Sequence, residues 1–169
     1  SGPMTSREGL KELLDSIGVQ ARDGLSETRK ALRILRTEER QSRPLMAEVE
    51  RMVSTFSRIA GIEASVHISN MPDTVPQPIA GAIYRMIQEC LTNSLRHGAV
   101  SKIWISCWLW EDELVVDISD NGHANRVVRE GLGISGMRER IEDLGGNLSI
   151  NADSSGFKVR ASIPRRRFE

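Results

Sequence analysis

The chain predicts a two-layer α/β sandwich preceded by a long N-terminal helix. Three observations lead there: five short apolar or alternating runs that read as strands, three longer stretches of helical period, and a seam near the N-terminus with steps of three and four residues. The 169 residues are 39% hydrophobic and carry 23 basic against 23 acidic side chains, a formal net charge of zero. That balance gives no electrostatic reason to expect nucleic acid as a partner. No run of about 18 apolar residues offers a membrane span.

Ser1-Gly2-Pro3 reads as a cloning remnant rather than a signal peptide. From Arg7 to Arg36, Leu10, Leu14, Ile17, Ala21, Gly24 or Leu25, Thr28, Leu32 and Leu35 form the seam of a coiled coil or bundle, or else the face of an ordinary amphipathic helix. Gly18 and Gly24 weaken that helix by up to about 1 kcal/mol each. Residues 44–60, opened by Pro44, put Leu45, Val49, Met52, Val53, Phe56 and Ile59 on one face able to cover a sheet.

Strands follow at about 62–68, 102–110, 114–119, 147–151 and 157–163, with helices at 78–97 and 134–144, giving a mixed sheet with helices on one face. Alternation in the first strand turns Glu63, Ser65 and His67 outward. In the second, Trp104, Trp108 and Trp110 oppose Ile103, Ile105, Cys107 and Leu109. The tryptophan side is left for the N-terminal helix, a domain edge or a partner. Cys90 and Cys107 sit in apolar patterns that suit reduced thiols of a cytoplasmic domain. His67, His97 and His123 show no zinc-like spacing, and Arg165-Arg166-Arg167 reads as a solvated tail.

Three polar signals interrupt this pattern. In Gln88-Glu89-Cys90-Leu91-Thr92-Asn93-Ser94-Leu95-Arg96-His97, residues 89, 93 and 97 stack on one helical side, with Ile83, Ile87, Leu91 and Ser94 or Leu95 on the other. A stripe of this kind is often only a solvated face, and Arg96 and His97 also fit a plain helix C-terminus. Asp120-Asn121-Gly122 ends the run 114–119. Asn-Gly is usually a hairpin turn, yet residues 123–130 do not alternate as a returning strand would. Gly131-Leu132-Gly133-Ile134-Ser135-Gly136 matches GxGxxG, but lacks the preceding strand of a dinucleotide fold.

Taken together the signals describe a nucleotide site. A carboxylate at 120 accepts a hydrogen bond from the exocyclic amine of adenine and repels the oxygen guanine presents there. Gly122 lets a base lie against the backbone. Gly131, Gly133 and Gly136 let backbone N–H groups and a helix start approach phosphates. The Asn93 carbonyl suits Mg²⁺, Glu89 can orient or deprotonate an attacking group, and Arg96 and His97 can reach the phosphate tail.

These residues carry a specific resemblance. From about Ile79 to Ile163 the chain resembles the ATP-binding domain of sensor histidine kinases, the Bergerat-type fold shared with gyrase, Hsp90 and MutL. Residues 88–97 are similar to its N box, Asp120 to Gly122 to its first glycine box and Gly131 to Gly136 to its second. The run Gly131 to Arg140, closed by Leu144-Gly145-Gly146, is similar to the subfamily that phosphorylates LuxR-type response regulators.

The resemblance implies ATP and Mg²⁺ as cofactors, Asn93 as the metal ligand, Asp120 as the adenine reader, and Glu89 as the residue acting on the phosphoacceptor. Gly131, Leu132, Gly133 and Gly136 would line the phosphates, and residues 123–130 would form a short lid. The first glycine box departs from the usual DxGxG at Ala124. Residues 4–40, from Arg22 to Arg36 above all, resemble the second helix of a dimerisation domain, with 44–169 as the catalytic domain. Because no histidine precedes His67, the phosphoacceptor is expected on a helix outside this fragment, which could not then autophosphorylate. The implied whole is a homodimeric membrane sensor with this part in the cytoplasm. An ATP-binding regulatory module like the anti-sigma factors of the same fold is the alternative.

Overall fold

A computed structural model describes residues 44–97, 100–122, 132–153 and 156–167. The N-terminal seam, residues 4–40 read as a dimerisation helix, the 123–130 segment and Gly131 fall outside those residues, as do the side chains of His97 and Leu132.

The order is α1 (Leu45–Ala60), β1 (Glu63–Ser69), α2 (Gln77–His97), β2 (Lys102–Trp110), β3 (Glu113–Asp120), α3 (Leu132–Asp143), β4 (Asn147–Asp153) and β5 (Gly156–Pro164), closed by a 3₁₀ turn, Arg165–Arg167. All eight expected elements of the 44–169 region are present, with ends shifted by at most two residues. The strands form one sheet in the order β1-β2-β3-β5-β4. β1 and β2 are parallel and joined through α2, as parallel neighbours require a crossover. The remaining pairs are antiparallel, so the sheet is mixed as expected.

Helix α1 begins after Pro44, whose carbonyl accepts the Glu48 N–H (3.3 Å). It ends at Gly61, left-handed at φ 67°, whose N–H reaches the Ser57 carbonyl (3.0 Å). Leu45, Val49, Met52, Val53 and Phe56 are buried as their spacing demands. Ile59, expected on the same face, is 37% exposed because it falls on the last turn. Helix α2 buries Ile79, Ile83, Met86, Ile87 and Leu91, and α3 adds Met137 and Ile141. These faces meet Ile103, Ile105 and Cys107 of β2, Leu114, Val116 and Ile118 of β3, and Val159, Ala161 and Ile163 of β5. One side of the sheet is therefore sealed by helices.

The other side stays open around β2. Glu63, Ser65 and His67 are exposed, as the alternation of β1 predicted. Trp104 is 45% and Trp110 64% exposed. Trp108 is half-buried, lying against the Arg160 guanidinium (5.9 Å to the ring centroid) and opposite Val115. Arg160 is held in turn by both oxygens of its cross-strand partner Asp117 (2.6 and 2.5 Å). Among the described residues no helix is long and apolar enough to cross a membrane.

Both cysteines are free and buried. Burial pushes the Cys107 thiol up to about 12 from an ordinary 9.0. It raises Cys90 too, helped by the Glu89 and Asp120 carboxylates. A raised thiol pKa means stability that is complete below about pH 9 and is lost as pH climbs through the folded value. Urea denaturation at about pH 8 and about pH 10.5 should show a falling midpoint, with a smaller fall in Cys107→Val. An equal fall in both proteins would count against the buried thiol as a contributor.

Candidate functional site

The site grows from the C-terminal end of β3. Asp120 is the last residue of a strand paired on both sides, so its backbone is fixed and its side chain, 8% exposed, turns in toward the helices. Its Oδ1 accepts N–H bonds from Gly122 (2.9 Å) and Phe157 (3.3 Å). Its Oδ2 lies 3.1 Å from the Ser94 hydroxyl, which is equally 3.1 Å from the Cys90 carbonyl oxygen. One hydroxyl carries one proton and serves one acceptor at a time, so Oδ2 keeps lone-pair capacity that the described residues do not consume. A buried carboxylate with spare acceptor capacity can take a ligand's donor.

The neighbouring Asn121 acts as a clamp. Its Oδ1 accepts from the N–H groups of Ser101 (3.0 Å) and Lys102 (2.8 Å), and its Nδ2 donates to Ser101 Oγ (2.8 Å). The Asn-Gly pair therefore does not make a hairpin. Asn121 ties the exit of β3 to the entry of β2, while Gly122 leaves space for Val100, whose Cγ2 is 2.7 Å from where a Cβ would stand.

The buried side of α2 reaches this strand end through Ser94. Ser94 touches Asp120, and Asn93, one residue earlier, is half-buried on α2. Glu89, a turn before Asn93, rests against the first turn of α3. A Cβ on Gly133 would fall 2.1 Å from Glu89 Oε1, so only glycine permits that approach. The first helical signal, the strand-end carboxylate and the second glycine cluster are thus contiguous. Arg96 is exposed on the last turn of α2.

Two details differ from expectation. Helix α3 begins at Leu132, two residues before the expected Ile134, so Gly133, like Gly136, is a helical residue rather than a member of the preceding loop. Gly136 lies one turn below Arg140, whose Nη2 would be 3.3 Å from an added Cβ. Ser94, grouped by spacing with the apolar side of α2, is buried there as a polar partner of Asp120. Sequence reasoning missed that pairing, the Asn121 clamp and the Phe157 amide. The polar type of Ser94 on a buried stripe was the one available signal.

A separate open groove of about 450 Å³, lined by Pro78, Gly81, Ala82, Arg85, Arg140, Asp143 and Leu144, lies between the early turns of α2 and the end of α3. It contains neither the buried carboxylate nor the residues stacked with it. The candidate site is at Asp120.

A mixed sheet covered by helices on one face, with a buried strand-end carboxylate bonded to the second helix, suits an ATP-binding ATPase domain. The chain belongs to the histidine kinase-, DNA gyrase B- and HSP90-like ATPase family, whose model matches residues 79–167. It is 30% identical over 155 residues to the sensor histidine kinase MctS of Rhizobium johnstonii, covering 88% of this chain and 34% of that protein. To the sensor histidine kinase LnrJ of Bacillus subtilis it is 29% identical over 144 residues, covering 85% and 36%. The chain thus spans about a third of the length of these curated relatives. The histidine kinase domain of the Erythrobacter litoralis EL346 blue-light activated histidine kinase superposes with a TM-score of 0.64 at 22% identity, covering 98% of this chain and 91% of that one. The domain is therefore of the catalytic, ATP-binding type found in sensor histidine kinases.

The Asp120 network makes one structural demand that can be tested. Gly156 has φ 135°, and a Cβ there would stand 1.8 Å from the Asp120 carbonyl oxygen. Gly156→Ala should push the start of β5, and with it the Phe157 donor, away from Asp120. The expected cost is about 3 kcal/mol from the strained backbone and the clash together. Urea denaturation measures it, and an unchanged midpoint would contradict the packing described.

Proposed function

We propose that this chain is the catalytic part of a two-component sensor histidine kinase, binding MgATP and transferring the γ-phosphoryl group to a histidine on a dimerisation helix. From there the phosphoryl group passes to an aspartate of a LuxR-type response regulator. The observation that carries the reading is the buried Asp120 carboxylate, held by two backbone amides on Oδ1 and left with acceptor capacity on Oδ2. That arrangement suits the amine of adenine.

Around the base, each residue keeps the role expected of it. Gly122 forms the floor beside Asp120, and Gly131, Leu132, Gly133 and Gly136 bring the start of α3 to the phosphates. Asn93 offers its carbonyl to Mg²⁺, an ion that takes few protein ligands beyond phosphate oxygens. When held there, Mg²⁺ would supply positive charge to offset that of the phosphates. Arg96 and His97 add positive charge or hydrogen bonds at the phosphate tail. Glu89 faces the first turn of α3, where it can accept the proton released from the imidazole as the P–N bond forms and the P–O bond to ADP breaks. Residues 4–40 supply the second helix of the dimerisation domain, and the whole protein works as a homodimeric membrane sensor. The names of both relatives reported above favour this over an anti-sigma-like module.

Calorimetry should show ATP or ADP binding in the micromolar range and no heat from GTP. Asp120→Ala should weaken ATP by about 10- to 100-fold, the worth of a hydrogen bond to a charged group. Asp120→Asn is the folding-safe variant, since its oxygen can still take the Gly122 and Phe157 amides while its NH₂ faces the base. It should lose ATP and narrow the gap to GTP. Equal affinities in all three proteins would discard the adenine assignment.

Asn93→Ala should lose affinity mainly in the presence of magnesium, by about tenfold. An equal loss with and without the metal would remove Asn93 from metal binding.

A further inference from the structure

We infer that Ser94 is a second purine-reading group, which donates its hydroxyl proton to N1 of adenine while Asp120 accepts from the 6-amino group. This deepens the proposed function and rests on its placement of adenine at Asp120. The Ser94 hydroxyl and Asp120 Oδ2 stand side by side, 3.1 Å apart, both buried at the junction of α2 and β3. They present a donor next to an acceptor. The Watson–Crick edge of adenine presents the complement, an N6 donor next to the N1 acceptor, whereas guanine presents an O6 acceptor next to an N1 donor.

Hydrogen-bond accounting shows why the exchange is favourable. Without a base, the Ser94 proton has two acceptors available, Asp120 Oδ2 and the Cys90 carbonyl oxygen. With adenine present, the 6-amino group donates to Oδ2 and frees the hydroxyl to turn to N1. The Cys90 carbonyl already serves the α-helical ladder, so no buried group is left without a partner. Guanine breaks the arrangement at Asp120, where its O6 faces the carboxylate oxygen. The hydroxyl can accept from guanine N1–H while keeping its own proton on Oδ2, so rejection of guanine rests on the carboxylate and the Ser94 contact adds affinity for adenine.

Asn93 and Glu89, on the adjacent side of α2, have no part in this reading. Ser94 is therefore expected to change base recognition without changing the response to magnesium. That separates it from a residue that merely supports the helix.

The test uses ATP, GTP and 1-deaza-ATP, in which N1 is replaced by C–H and the amine is kept. Calorimetry of the wild-type chain should show 1-deaza-ATP binding about tenfold more weakly than ATP. In Ser94→Ala the two should bind alike, at the level of the weaker wild-type complex, with the magnesium dependence unchanged. Wild-type protein that binds 1-deaza-ATP as tightly as ATP overturns the inference, as does Ser94→Ala that keeps the wild-type ratio. If ATP is preferred over GTP in those cases, the reading of Asp120 stands without Ser94. If wild-type protein takes ATP and GTP alike, both fall together.

Discussion

The carboxylate of Asp120 is the interaction on which the rest depends. It joins the end of β3 to the Gly122 turn, to the start of β5 through Phe157 and to α2 through Ser94, so that one buried charge links four pieces of chain. Burying a carboxylate is costly unless hydrogen bonds compensate, and backbone amides provide charge-assisted ones. They also leave one oxygen underused. The same geometry that makes the charge tolerable in the interior leaves it able to bind.

Close packing then sets the rest of the site. Gly156 admits the Asp120 carbonyl, and Gly133 admits the Glu89 carboxylate, at distances no side chain would allow. Asn121 supplies the cross-tie, fastening residues 101 and 102 to the exit of β3 so that strand end and strand start move as one. The helices covering the sheet supply the apolar wall. The opposite sheet face, with Trp104 and Trp110 exposed and Trp108 against Arg160, takes no part in it.

Much of this was legible from residue order because the physics involved is local. The period of 3.6 over 44–60 and 78–97, and the alternation through 62–68 and 102–110, follow directly from which side chains can face a core. Asp120 was legible because a carboxylate closing an apolar strand is conspicuous, and Glu89 and Asn93 because their spacing stacks them. The pairing of β3 with β5 was not. It depends on contacts between segments about 40 residues apart. The partner of Ser94 was not legible for a related reason. A serine on a buried stripe reads as a small filler until the partner across the fold is known. The start of α3 was placed two residues late because Gly131 and Gly133 argue locally against helix, and tertiary packing outweighs that preference.

The most direct measurement is a crystal structure of this chain with ADP and Mg²⁺. The account predicts the adenine amine within hydrogen-bond distance of Asp120 Oδ2, with the diphosphate leading toward the first turn of α3. A base seated elsewhere, with Asp120 still enclosed by the protein's own donors, would contradict it.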